Sequence, residues 1–130
     1  MRIVVILAAL ALLAGCGGGQ DEESASPPSL ADLTVTVDPD GKGAKEAKTA
    51  TVQCASADDS DVCKAVDGMK AEVFEPVPGD TACTQQYGGP ETATVKGTLH
   101  GETIDATFSR VNGCEISRWQ QAAPLLEAAG

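Results

Sequence analysis

The sequence predicts an α+β domain, an antiparallel sheet of four to five strands with two helices packed on one face and two disulfides. Three observations carry that expectation. Apolar and polar residues alternate in two pairs of short stretches, each pair broken by a turn signal. Two further stretches repeat apolar residues at helical spacing. Four cysteines, Cys54, Cys63, Cys83 and Cys114, are scattered through the same region, and none belongs to a CxxC.

Residues 32–38, DLTVTVD, place Leu33, Val35 and Val37 on one face. PDGKG follows as a turn signal, and KTATVQC resumes the alternation through Ala50, Val52 and Cys54. A period of two on both sides of a turn is a hairpin with one buried face. TATVKGTLHGETIDATFSR repeats the pattern, with Val95 and Leu99 ahead of a turn at His100-Gly101-Glu102 and Ile104, Ala106 and Phe108 beyond it. The opposite faces carry Thr, Lys and Asp, so the sheet is expected to be antiparallel with one solvated side. Residues 60–71, SDVCKAVDGMKA, set Val62, Cys63, Val66 and Met69 on one helical stripe, with Ser60 as the cap. Residues 115–122, EISRWQQA, space Ile116 and Trp119 three apart, and Pro124 is expected to end that helix or begin a short second one. The sequence contains no internal repeat.

The folded domain is predicted over residues 31–130. Its core is thin, with Phe74, Tyr87, Phe108 and Trp119 as the aromatics, so disulfides matter more here than in a larger protein. Ahead of it, residues 1–15, MRIVVILAALALLAG, read as a signal peptide: Arg2 precedes an apolar run too short for a comfortable membrane span. The run ends in LAGC, Leu13 to Cys16, which resembles the lipobox of bacterial lipoproteins. That resemblance implies cleavage before Cys16 and lipidation of its sulfur, and two or three acyl chains hold a protein on a membrane where one does not. Residues 16–30 are then the lipidated cysteine and a flexible tether rich in Gly, Ser, Pro and acids. The expected location is outside the cytoplasm, either lipid-anchored on the outer face of a bacterial cell membrane or extracellular.

The cysteine count agrees with export. Five is odd, and lipidation of Cys16 leaves an even set that is expected to pair outside the cytoplasm. Three pairings of the four are open. The formal charge of -10 argues against nucleic acid, whose binding rests on neutralising phosphates with Lys and Arg. It provides no attraction to an anionic bilayer either, so membrane attachment has to come from the lipid.

Catalytic chemistry has little to work with. His100 is the sole histidine and lies at a hairpin turn, where a histidine is far more often solvated than catalytic. A zinc site is not expected from one histidine and cysteines destined for disulfides. GxSxG, HExxH and phosphate-cradling glycine loops are all missing, and nothing singles out a pair among 19 acidic residues. The chain is expected to be no enzyme, with no cofactor and no metal.

Binding is the remaining class, and the residues around the cysteines make it specific. LTVTV, the four cysteines in order, ACTQQYGGP and FSRVNGCE together resemble the subtilisin inhibitor-like family of secreted serine-protease inhibitors. The resemblance runs over roughly residues 30–120. It implies disulfides Cys54–Cys63 and Cys83–Cys114, and a reactive loop of Cys83, Thr84 and Tyr87 around a scissile bond between Gln85 and Gln86. The partners it implies are subtilisin- or trypsin-like serine proteases, met by substrate mimicry. Many relatives carry a basic residue, Met or Leu where this chain has Gln85, and a longer segment between the first two cysteines than ASADDSDV. Tyr87 is placed either against the disulfide or toward a protease, and Arg110 and Asn112 are candidates to hydrogen-bond the loop from beneath. A homodimer through the sheet and a tethered monomer are both compatible with these residues. The alternative function is a non-inhibitory envelope-binding module on the same scaffold.

Overall fold

Alternation of side chains decides the sheet. The structure, a computed structural model, describes residues 28–43 and 45–130. The expected signal peptide, Cys16 and most of the tether lie outside the described residues. Strands β1 (Ala31–Asp38), β2 (Lys48–Cys54), β3 (Thr92–Leu99) and β4 (Glu102–Phe108) form one antiparallel sheet in the order β2-β1-β3-β4. The register stacks Leu33 beside Val52, Val35 between Ala50 and Val95, and Ala93 beside Phe108. Leu33, Val35, Val95 and Phe108 are fully buried. The other face pairs Thr34 with Thr51, Thr36 with Thr49 and Lys96 with Asp105, and is largely exposed. One buried and one solvated face are what the alternation predicted.

The β3–β4 turn needs only two residues. His100 has φ 50° and Gly101 φ 79°, the left-handed pair that lets a two-residue loop match the twist of its strands. His100 donates its N–H to Leu30 O at 2.8 Å and lies 3.5 Å from the Asp67 carboxylate, with both side chains about half exposed. The longer β1–β2 connection is organised by Asp38. Its Oδ2 accepts from Gly43 N at 2.7 Å, and its Oδ1 from Asp40 and Gly41.

Helix α1 (Asp61–Asp67) begins where Ser60 Oγ accepts the Cys63 N–H. It buries Cys63 and Val66. It stops at Asp67, short of the predicted residue 71, because Gly68 weakens continuation. The chain then makes a separate 3-10 turn, Ala71–Phe74, that buries Val73 and Phe74. Helix α2 (Gly113–Leu126) is capped by the Asn112 side chain, which accepts Glu115 N–H at 3.0 Å. It corrects the expectation at Pro124, which neither ends α2 nor starts a new helix but lies inside it. Proline removes one backbone donor and crowds the carbonyl four residues earlier, at a cost of about 3 kcal/mol. Burial of Leu125, Leu126 and Ala129 directly after it opposes that cost.

Both disulfides form in the pairing the resemblance implied, Cys54–Cys63 and Cys83–Cys114, with Cα–Cα distances of 5.6 and 5.3 Å. The first ties β2 to α1. The second ties the chain ahead of β3 to the first turn of α2. Separations of 9 and 31 residues correspond to about 2.7 and 3.7 kcal/mol in the chain-entropy model.

Candidate functional site

Pro76, Pro78, Gly79 and the run Gly88-Gly89-Pro90 keep residues 75–91 out of regular structure, and this segment carries the predicted site. The segment is nevertheless anchored. Upstream of the predicted scissile bond, Cys83 is bonded to Cys114, and Thr84 O accepts Gly113 N–H at 3.1 Å. Downstream, Gly88 donates its N–H to Arg110 O at 2.7 Å. Arg110 in turn places Nη1 3.2 Å from Glu91 Oε1, so it holds the chain on both sides of the Gly-Gly-Pro run.

Two glycines make this approach close enough. A Cβ at Gly113 would collide with Thr84 Oγ1. At Gly88 it would come within 2.9 Å of the Ile116 side chain and 3.2 Å of Arg110 Cβ. The loop therefore lies directly on the start of α2 and the segment before it, backbone against backbone.

Between the anchors, Gln85, Gln86 and Tyr87 are exposed, and their backbone groups make no hydrogen bond among the described residues. Tyr87 is 64% exposed, so most of its side chain faces solvent. Gln85 borders a groove of about 580 Å³ shared with Pro78, Val111 and Glu115. Gln86 borders a second of about 490 Å³, shared with Ala82, Gly113 and Ser117. Cys83 is half-buried, Thr84 to Tyr87 are exposed, and Thr84 lines both grooves.

Of the two residues expected to support the loop from beneath, Arg110 does so and Asn112 does not. The Asn112 side chain is taken up by the α2 cap. Gly88, Glu91 and Gly113 were not singled out by sequence, although Gly113 stands beside a cysteine in NGC and Gly88 opens the Gly-Gly-Pro run.

Chemically, the site offers backbone and conformation. All four described cysteines are in disulfides, and no metal-ligating cluster of His, Cys, Asp or Glu occurs among the described residues. Unpaired N–H and C=O groups on a segment held at both ends are suited to pair with a strand from a partner. No known protein family, curated protein or solved structure matches the chain. Among the described residues no helix is long and apolar enough to cross a membrane, and the two disulfides are compatible with an exported or extracellular protein.

Proposed function

We propose that this chain is an inhibitor of subtilisin- or trypsin-like serine endopeptidases that acts by substrate mimicry and is anchored outside the cell by lipid on Cys16. One observation carries the reading: three exposed residues, Gln85 to Tyr87, have unpaired backbone groups and lie between a disulfide anchor and a hydrogen-bonded one. Such a segment enters a protease cleft as an extended strand and offers Gln85 to the primary specificity pocket. The protease serine attacks the Gln85 carbonyl, and the Gln85–Gln86 bond opens to an acyl-enzyme and a new amine on Gln86. Because both ends stay anchored, that amine remains in reach of the ester, and religation competes with hydrolysis.

Rigidity also removes the ordering cost that a flexible substrate incurs on binding. Protease–inhibitor interfaces of ordinary size, about 1,600 Å², are among the tightest known. Glutamine suits neither an acidic trypsin-type pocket nor a purely apolar slot, so a broad subtilisin-like pocket is the better match.

The test is titration of the chain from residue 28 onward against subtilisin and trypsin, with the cut site mapped. Tight inhibition with slow cleavage confined to Gln85–Gln86 supports the proposal. Failure to inhibit at micromolar protein, or rapid digestion at that bond, refutes it and favours the envelope-binding module. Gln85→Lys and Gln85→Met shift the preferred protease toward trypsin and subtilisin respectively. For the anchor, Cys16→Ser releases the full chain from the membrane fraction; continued membrane association would reject lipidation there.

A further inference from the structure

The scissile bond is held unequally on its two sides. The acyl side has a covalent anchor two residues before Gln85, at Cys83. The amine side has the Gly88 N–H on Arg110 O and, beyond it, the ion pair of Arg110 with Glu91. Both downstream anchors run through one residue, Arg110, from its carbonyl oxygen and from its guanidinium.

Glu91 has an unusual arrangement. Its Oε1 faces Arg110 Nη1, while Oε2 is buried with no hydrogen-bond partner. That oxygen lies against Gly89, where any Cβ would collide with it. A buried carboxylate oxygen without a partner is costly, and native structures contain few. Nothing in the packing of the sheet requires a carboxylate here, since Glu91 precedes β3 and points into the base of the loop.

We infer that Glu91 is a positioning residue for the amine side of the loop, acting through Arg110; this rests on the inhibitor reading. The pair fixes the segment from Gly88 to Glu91, and so returns the Gln86 amine to the acyl carbon after the bond is cut. In that step the ester C–O bond breaks and the Gln85–Gln86 C–N bond re-forms. The amine loses a proton and the protease serine regains one, so cleavage and religation balance without a further reactant.

The experiment compares the chain from residue 28 onward, which holds the whole described core, with Glu91→Ala, Arg110→Ala and the charge swap Glu91→Arg with Arg110→Glu. Amide exchange at Gly88 is measured without any protease, and the equilibrium ratio of cut to intact Gln85–Gln86 bond with catalytic subtilisin. Each alanine variant is expected to speed Gly88 exchange and raise the cut-to-intact ratio by about fivefold, the range of coupling seen between contacting residues. The swap is expected to recover part of both, while exchange within β1 and β3 is unchanged. Unaltered Gly88 exchange, or faster exchange across the whole sheet in step with it, overturns the assignment. If Gly88 exchange responds while the unmodified chain inhibits no protease, the clamp holds and the inhibitor reading falls.

Discussion

Thr84 and Gly113 meet at the base of the loop: the Thr84 carbonyl accepts the Gly113 N–H at 3.1 Å, and the Thr84 side chain occupies the space that a Cβ on residue 113 would need. Gly113→Ala is therefore expected to push Thr84 off its rotamer, at about 1 kcal/mol for such a distortion. That corresponds to roughly fivefold weaker binding of a protease that reads the loop in its present shape. Thr84→Ala removes the colliding Oγ1, so the double variant Gly113→Ala/Thr84→Ala should recover most of the loss. Inhibition constants for the two single variants and the double one check this, and additive losses would reject the contact as the cause.

The two disulfides are expected to separate stability from inhibition. Replacing Cys54 and Cys63 with Ser should cost about 2.7 kcal/mol, and replacing Cys83 and Cys114 about 3.7 kcal/mol, because the longer closed loop constrains the unfolded chain more. Their effects on function differ in kind. On the proposed reading, loss of Cys83–Cys114 leaves the acyl side of the Gln85–Gln86 bond with only the Gly113 N–H on Thr84 O, and the chain should turn from inhibitor to substrate, cut quickly at that bond. Loss of Cys54–Cys63, which lies between β2 and α1, should leave the inhibition constant within about threefold. Urea unfolding and protease progress curves read the two quantities independently.

The sheet was legible in sequence because its signal is local: Leu33 and Val35, or Ala106 and Phe108, alternate with polar neighbours within one strand. The helix ends were not. Pro124 reads as a stop, and α2 continues through it only because Leu125 and Leu126 reach the core, which is a tertiary fact. The exposed Gln85–Gln86–Tyr87 segment was found through a resemblance, not through spacing. Of its supports, Arg110 is a candidate in sequence but its partner Glu91 is not, because the two meet across 19 positions and no local pattern pairs them. Arg118 is likewise not legible, because its acceptor Val73 O lies 45 positions away.

Asp38 makes the β1–β2 connection acid-sensitive. The Gly43 N–H, with the Asp40 and Gly41 N–H groups, stabilises the ionised carboxylate and holds the Asp38 pKa below the usual carboxylate range. A carboxyl whose folded pKa is lowered contributes fully above its unfolded pKa, and the contribution is lost as pH falls through the folded one. Asp38→Asn removes the charge and presents an amide donor to at least one N–H. It should lower the melting temperature near neutral pH, and the gap from the unmodified chain should close in strong acid. Thermal melts from neutral pH downward check it, and a gap independent of pH would assign the effect to packing instead.

Arg118 poses the sharper stability question. It is a charged side chain buried under the fold, 4.7 Å from the centre of the Phe108 ring. Its Nε donates to Val73 O, and its Nη1 to Thr107 O and to Glu115 Oε2 at 2.8 Å. One guanidinium thus joins the 3-10 turn, the end of β4 and the first turn of α2, the turn that carries Cys114 and backs the loop. Arg118→Met keeps much of the apolar volume but strands a half-buried carboxylate and two carbonyls, a loss expected at about 3 kcal/mol. Lysine restores the charge but not the planar fork that reaches three acceptors, so Arg118→Lys should recover less than half. Adding Glu115→Gln to Arg118→Met removes the stranded charge and should regain about 1 kcal/mol or more. Urea unfolding of the three variants decides between an electrostatic role and simple filling of space, because only the first makes the methionine variant improve when Glu115 is neutralised.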